Sequence, residues 1–368
     1  MKQGIGIDLS RRFFERLVAP LLESEFPDLP VAAARIGLGS EVLRFDTEMS
    51  ADHDYGPTVQ LFLPEAQFEE VAEPLMKALD RIMPEAFEAW NSRYPTNLRP
   101  PSGPDALPGM LGSDHGVELY TLPAWCDRFV DRKFLTELEL QDWLSFPEQT
   151  ILTVTGGEVF RDDFGDLTAM RQRLAWVPRD VWLYKLAAQW NRIAEERAFI
   201  GRTGESGDEL GSSVIAARMV GNLMRLALLI ERRYAPYPKW LGTAFSRLYC
   251  APGLSPWLDD ALAAPNWQDR EVAIRRACMY LAELQLERGV PGAPKPEITS
   301  LHARPFRFVD SVAITNALRA AIEDETLRGL PEFGAVDQFV SANFVLAVPH
   351  YSKAAMEAVR KAGLDFGG

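Results

Sequence analysis

A glycine-rich turn followed by two closely spaced aspartates is the feature that most restricts how this chain can fold. Residues 37–40 read Gly-Leu-Gly-Ser and follow an apolar run at 31–34. Small residues there let backbone amides approach an anion and open a short helix. Further along, Asp52 and Asp54 flank one histidine, and on a strand this spacing turns both carboxylates to one face. The turn predicts a phosphate site, and the aspartates predict a metal site.

The two halves of this stretch support each other chemically. Mg²⁺ binds through one or two carboxylates together with substrate phosphates, so Mg²⁺ (or Mn²⁺) is the expected cofactor. An Asp-X-Asp pair alone is common, and its alternative interpretation is two solvated residues at the end of a strand. Here the turn precedes the pair at a spacing that fits a short helix and a return strand, and an alternating strand follows at 58–63.

The Gly39-Ser40 turn with Asp52 and Asp54 resembles the nucleotidyltransferase superfamily, the fold of kanamycin nucleotidyltransferase and of the catalytic head of DNA polymerase β. In that superfamily a serine usually stands immediately before the first aspartate, whereas here Ala51 intervenes. The resemblance implies an α+β fold, with a nucleotidyltransferase-like mixed sheet and helices in the head. An all-α C-terminal domain is expected to follow, because long helical patterns dominate after residue 178.

The resemblance also implies a third carboxylate, within an apolar-acid-apolar triplet on a later strand. Val117-Glu118-Leu119 is such a triplet, inside a predicted strand at 115–122. A buried acid between apolar residues is costly unless a metal or cation pairs with it. The alternative is that Glu118 points outward from a half-exposed strand.

The resemblance thus gives three predicted catalytic and metal-binding residues, Asp52, Asp54 and Glu118. The two aspartates would bridge the metals. Glu118 would hold one metal and act as general base to the acceptor hydroxyl. Glu195 and Glu196, on a predicted tail helix, are an alternative source of that base.

Length and periodicity predict the domain organisation. A chain of 368 residues exceeds the usual size of one domain, so two are expected: a catalytic domain at 1–150 and a mainly helical domain at 151–368. A hairpin with a Gly-Gly turn is predicted at 150–166, and a capped loop at 200–213. The apolar spacing predicts helices over 7–25, 64–89, 124–130, 181–198, 212–233, 239–249, 256–263, 267–288 and 310–324.

Charge and cysteine content restrict the partners. A net charge of −13 argues against extended nucleic-acid binding, whose affinity comes from neutralising phosphates. The three cysteines form no Cys-X-X-Cys pattern, so neither a disulfide framework nor a zinc site is indicated. No leader-like or membrane-spanning apolar run is found, and we expect a cytoplasmic protein without membrane contact. The oligomeric state stays open.

Two segments of the tail carry further candidate binding residues. Arg202 lies in the glycine-rich segment, while Tyr237 and Lys239 lie in a run of cations, rings and prolines at 232–240. Such a run could grip phosphates and stack a base, so these three join Gly39 and Ser40 as predicted nucleotide-binding residues. The alternatives are a capped connection and a proline-ordered helix junction. Residues 178–250, 301–307 and 334–339 resemble the helical half of uncharacterised bacterial nucleotidyltransferase-like proteins.

Three functions follow from the resemblance. The leading one is transfer of a nucleoside monophosphate from an NTP, with ATP expected, to a hydroxyl acceptor with release of pyrophosphate. A small-molecule acceptor is favoured, but its identity is not predicted. One alternative is a nucleotide-binding regulator or pseudoenzyme without turnover. The other is a module that nucleotidylates a partner protein, as some toxin–antitoxin nucleotidyltransferases do.

Overall fold

The computed structural model describes residues 5–47, 57–91, 110–111, 115–300 and 304–365. The chain forms two compact units: unit 1 takes Met1–Leu138 and Thr150–Ala175, and unit 2 takes Glu139–Gln149 and Trp176–Gly368. The two units therefore interleave in sequence around residue 150. A division into functional domains at that residue stays a prediction.

Unit 1 is built on a five-stranded mixed sheet. Its strands are β1 (Ala32–Arg35), β2 (Val59–Phe62), β3 (Met110–Leu111), β4 (Val117–Tyr120) and β5 (Glu158–Asp162), in the order β3-β4-β2-β1-β5. β1 is antiparallel to both β2 and β5, and β3 is antiparallel to β4. β2 and β4 run parallel, and their register places Gln60 opposite Glu118. Sheet and helices together confirm the predicted α+β class.

The two faces of this sheet have different chemistry because side chains alternate along each strand. One face carries Val59, Leu61, Val117 and Leu119 into an apolar core with the helices α1 (Ile5–Phe13), α2 (Ala19–Glu25) and α3 (Glu65–Asn91). A π-helical turn at Phe14–Val18 joins α1 to α2. The alternate positions therefore turn Gln60 and Glu118 to the opposite face.

That second face is covered by aromatic side chains. The helix α4 (Leu122–Phe129) begins just after β4, where the Thr121 hydroxyl accepts from the Ala124 N–H. Trp125 of this helix lies 6.1 Å from Phe62, centroid to centroid. Phe62 in turn lies 6.2 Å from Tyr120 on the neighbouring strand. The polar pair on this face is thus bordered by rings.

The predicted hairpin at 150–166 is wrong in its first arm. Residues Glu148–Thr155 form a helix, α6, and β5 pairs with β1. Ile151 and Val154 are both fully buried, and their spacing of three puts them on one face of a helix. The two glycines end this helix: Gly156 N–H donates to Leu152 O at 2.8 Å, and Gly157 takes a left-handed φ of 64°.

In the part of unit 1 that the structure describes, a 3₁₀ turn at Arg132–Leu135 and the helix α7 (Asp166–Arg173) follow. In α7, Arg171 donates through Nη1 to Val154 O at 2.5 Å and to Gly156 O at 2.6 Å. These bonds satisfy carbonyl groups at the C-terminal end of α6, where no intrahelical donor is left.

Unit 2 is mainly helical, as predicted. Its helices are α5 (Leu140–Ser145), α8 (Arg179–Glu196), α9 (Phe199–Glu205), α10 (Glu209–Ile230), α11 (Pro238–Ser246), α12 (Ala251–Ala263), α13 (Trp267–Glu287), α14 (Ser311–Ala320), α15 (Glu325–Gly329), α16 (Val336–Phe339), α17 (Asn343–Ala347) and α18 (Pro349–Asp365). It also contains a two-stranded antiparallel sheet, β6 (Ile298–Ser300) with β7 (Arg307–Val309).

The predicted loop at 200–213 is partly wrong, because α9 occupies its first half. Gly201 lies against the Phe306 ring, where an added Cβ would meet Cε1 at 2.7 Å. The glycines of this segment therefore permit close packing of a helix. The predicted cap is confirmed, since Gly211 N–H donates to Asp208 Oδ1 at 2.7 Å at the start of α10.

One helix of the described residues, α10, is long and apolar enough to cross a membrane when judged by length and composition. Half of the most apolar 18-residue stretch of this helix is buried inside the structure. Core helices of globular units pass the same test, so this helix is weak evidence for a membrane span.

Candidate active site

A buried arginine shapes the turn that follows β1. Arg35 donates through Nη1 to Ile36 O at 2.6 Å and through Nη2 to Leu38 O at 2.7 Å. Its guanidinium also forms an ion pair with Glu41, and both side chains are buried. Charge-assisted hydrogen bonds of this kind hold a backbone more firmly than neutral ones. The turn therefore has a fixed shape.

No helix follows the turn within residues 40–47, the part that the structure describes, which contradicts the predicted short helix directly after Ser40. Residues 40–44 form a turn in which Phe45 N–H donates to Ser40 O at 2.9 Å. Arg44 takes a left-handed φ of 56°, which a helix does not allow. Glu41, which a helix would turn outward, is instead buried against Arg35.

Gly39 is required by the local structure itself. Its φ is 130°, a value that residues with a Cβ rarely adopt. An added Cβ would also lie 2.6 Å from Glu41 Oε2. The predicted role of this glycine in binding phosphate is therefore accompanied by a structural one.

Within the described residues, some backbone N–H groups of the turn donate a hydrogen bond and others do not. The Gly37 N–H donates to Thr153 O at 2.9 Å. Among the residues that the structure describes, the amides of Gly39 and Ser40 donate to no partner. Gly39 is exposed and Ser40 is half-buried. Consecutive backbone amides are the groups that anion-binding turns use.

Glu118 lies on β4 between two fully buried neighbours and is itself half-buried. Gln60 Nε2 donates to Glu118 Oε2 at 3.4 Å, and the Ile36 N–H donates to Gln60 Oε1 at 3.0 Å. The predicted carboxylate is thus connected through one amide to the backbone that starts the turn. Sequence reasoning missed Gln60, although a lone amide in an apolar strand is a detectable signal.

Tyr120 and Trp125, two aromatic residues on this face of the sheet, have buried polar atoms. Burial raises the pKa of the Tyr120 hydroxyl, and the nearby Glu118 charge raises it further. Tyr120 therefore stays protonated at neutral pH. The indole Nε1 of Trp125 is buried and has no hydrogen-bond partner among the described residues. An added Cβ at Gly37 would lie 3.6 Å from the Trp125 ring, which places this ring against the turn.

The predicted pair Asp52 and Asp54 lies outside the described residues. Within the described ranges, no three His, Cys, Asp or Glu side chains converge as a metal site. Asp46, also acidic and close in sequence, is buried and accepts from Gly6 N–H at 2.9 Å at the start of α1. Its carboxylate therefore caps that helix.

The predicted nucleotide-binding residues of the tail lie in unit 2, each with a local contact. The Arg202 guanidinium is 5.7 Å from the Phe199 ring, and Lys239 Nζ is 4.9 Å from the Trp240 ring. Tyr237 is exposed just before α11, and its N–H donates to Gln149 Oε1 at 3.1 Å. Cation–π contacts explain both cations as surface packing. Nucleotide binding by these three residues stays a prediction.

The alternative bases on α8 have partners of their own. Glu195 accepts from Asn191 Nδ2 at 3.1 Å. Glu196 forms an ion pair with Arg218. A role as general base for either residue stays a prediction.

Unit 2 contains a buried ionic cluster that the sequence analysis did not predict. Lys185 Nζ lies 2.5 Å from Glu148 Oε1 and 3.9 Å from Asp337 Oδ1. The Ala235 N–H also donates to Glu148. Burial lowers the pKa of Lys185, but the two carboxylates outweigh burial and raise it overall. The signal in the sequence was a single lysine inside the apolar run 181–188.

Comparison with known proteins gives two matches. Residues 143–241 match a family model described as a domain of unknown function (DUF4037). No curated protein matches the chain. The crystal structure of a nucleotidyltransferase-like protein from Exiguobacterium sibiricum 255-15 is similar with a TM-score of 0.32 and 9% identity. The alignment covers 82% of this chain and 97% of that chain.

Proposed function

We propose that this chain is a metal-dependent nucleotidyltransferase. It moves a nucleoside monophosphate from an NTP, with ATP the expected donor, to a hydroxyl acceptor and releases pyrophosphate. One observation carries the proposal: the amides of Gly39 and Ser40, which have no partner among the described residues, stand on a fixed turn that Gln60 connects to the Glu118 carboxylate. An anion site and an acid are thereby held together, as phosphoryl transfer requires.

The turn is suited to phosphate because its donors are fixed before any ligand arrives. Arg35 holds the carbonyl groups of Ile36 and Leu38, so the backbone that carries the amides of Gly39 and Ser40 is already fixed. Donors that are already oriented stabilise developing charge without a cost of reorganisation. The Arg35 charge is balanced by Glu41, which leaves the backbone amides as the groups that bind the anion.

Among the described residues, Glu118 is the one predicted ligand for a hard divalent cation. Mg²⁺ needs only one or two carboxylates in addition to phosphates and waters, and Glu118 supplies one half-buried carboxylate on the polar face of the sheet. Asp52 and Asp54 are proposed to complete the donor set. When bound, Mg²⁺ or Mn²⁺ would neutralise charge on the transferred group.

The chain's own residues then divide the remaining work. Gly39 and Ser40 bind phosphate oxygens and orient the NTP. The oxygen of the acceptor hydroxyl bonds to the α-phosphorus, and the bond from that phosphorus to pyrophosphate breaks. Glu118 accepts the proton that the hydroxyl loses. Tyr120 keeps its proton beside Glu118, so it adds no negative charge there.

The test uses the full chain with Mg²⁺, each α-³²P-labelled NTP in turn, and cell extract as the source of acceptors. Label on a small molecule supports the proposal in its favoured form. Label on a protein band indicates the protein-nucleotidylating alternative. NTP binding without label transfer indicates the regulator or pseudoenzyme, and it contradicts the proposal.

Ser40→Ala keeps the backbone amide and removes the hydroxyl, so it tests whether that hydroxyl also contacts the nucleotide. Loss of one hydrogen bond of about 1 kcal/mol should raise the KM for NTP about fivefold, with kcat and melting temperature unchanged. Ser24→Ala is the matched control, since Ser24 is exposed and bonds only its own helix, to Leu21 O at 3.1 Å. Equal KM values in the two variants would show that the Ser40 hydroxyl does not contact the nucleotide.

A further inference from the structure

A buried glutamine connects the two parts of the proposed site. Gln60 is 3% exposed, and its neighbours Val59 and Leu61 belong to the apolar core. An amide in such a strand is costly unless its polar atoms are paired. Both are paired: Oε1 accepts from Ile36 N–H at 3.0 Å, and Nε2 donates to Glu118 Oε2 at 3.4 Å.

The sheet fixes the position of this amide. Gln60 stands opposite Glu118 on the parallel strand β4 and opposite Ala34 on the antiparallel strand β1. Since Ile36 follows the end of β1, the amide oxygen faces the start of the turn and the nitrogen faces the acid. One rigid planar group therefore sets the spacing between the turn and the carboxylate.

We propose that Gln60 is a positioning residue, which orients Glu118 with respect to the phosphate-binding turn. The proposal rests on the proposed function of the turn and of Glu118. Hydrogen bonds from a second layer of residues commonly orient metal-binding carboxylates, and their loss costs about 10- to 100-fold in metal affinity or activity. Gln60 has this geometry: its Nε2 donates to the Glu118 carboxylate, and its Oε1 accepts from the backbone N–H of Ile36.

The first variant is Gln60→Leu, which removes both hydrogen bonds at similar side-chain size. We expect kcat for nucleotide transfer and the affinity for Mn²⁺ without nucleotide each to fall about tenfold or more. Gln285→Leu is the matched control: Gln285 is 1% exposed in unit 2 and accepts from Trp190 Nε1 at 2.9 Å. The control should lose thermal stability while its kcat and Mn²⁺ affinity stay at wild-type values.

A second variant guards against poor folding of the first. Gln60→Glu keeps an acceptor for the Ile36 N–H and replaces the donor to Glu118 with a second carboxyl group, which disturbs the Glu118 carboxylate by like-charge repulsion. We expect kcat to fall about tenfold or more, while the KM for NTP stays within about twofold because the start of the turn is still held. A rise in KM with unchanged kcat would contradict the role assigned to the Glu118 side of the amide.

A double-mutant cycle with Glu118→Gln separates positioning from general structural support. If Gln60 acts through Glu118, Gln60→Leu lowers kcat in the wild-type background and has little further effect in Glu118→Gln. Losses that multiply would overturn the proposal. If the wild-type protein transfers no nucleotide, the proposed function fails. The positioning role of Gln60 is then tested by the Mn²⁺ affinity alone. Equal Mn²⁺ affinity in wild type and Gln60→Leu then overturns the positioning role.

Discussion

Asp52→Asn and Asp54→Asn should each lower nucleotide transfer by at least about a thousandfold, because each removes a charged oxygen ligand from the proposed metal site. A metal site of this kind contributes mainly by neutralising charge in the transition state, and an amide cannot replace a carboxylate there. The measurement is the initial rate of label transfer from α-³²P-ATP, together with a thermal melt of each variant.

Asp28→Asn is the control for this pair, since Asp28 is an exposed aspartate of unit 1 in a turn. Its rate and melting temperature should equal those of wild type. A normal transfer rate in Asp52→Asn or Asp54→Asn would show that the substituted aspartate holds no catalytic metal. A lower melting temperature in either variant would show that the substituted aspartate stabilises the folded structure.

Lys185→Met should destabilise unit 2 by about 3–5 kcal/mol, the usual cost of leaving buried charge without its partner. Glu148 and Asp337 would remain buried without the Lys185 ammonium group. Burial already raises the pKa of Glu148, and removal of Lys185 raises it further. The folded variant then binds a proton more readily than the unfolded chain, so its deficit should be smaller at pH 5 than at pH 8. Denaturant unfolding at both pH values measures this.

Lys77→Met is the control for Lys185, because Lys77 forms an exposed pair with Glu73 at 2.7 Å on α3. Exposed pairs contribute little to stability, so this variant should unfold almost as wild type does. If Lys185→Met and Lys77→Met unfold alike at pH 8, the cluster does not hold unit 2 together. A deficit in Lys185→Met that grows toward acid pH would contradict the protonation account.

The helices were predictable because their apolar residues recur at helical spacing over long segments. The expected ranges at 64–89 and 267–288 correspond to α3 and α13. Short segments were ambiguous: the residues at 151–154 suit either a strand or a buried helix, and burial of Ile151 and Val154 together decides for the helix. Gly201 suggested a loop, whereas it permits contact with Phe306.

The sequence named three residues of the candidate site but not the contacts that hold them, and the chemistry of the site stays a prediction. The resemblance singled out Gly39, Ser40 and Glu118, and the structure puts them on the turn after β1 and on β4. The pairing of Arg35 with Glu41 depends on a turn whose shape the sequence does not state. Gln60 could not be assigned either, because strand register across β2 and β4 decides which acid faces it.

The most direct measurement of the proposed function is kcat for label transfer from α-³²P-ATP in wild type and Glu118→Gln, at saturating Mg²⁺ and ATP. Glu69→Gln is the control, since Glu69 is exposed on α3. We predict transfer by wild type and by the control, and a kcat about 10²- to 10⁴-fold lower in Glu118→Gln, as expected for loss of a general base. ATP binding, measured by calorimetry, should persist in all three. Equal kcat values in wild type and Glu118→Gln would contradict the account.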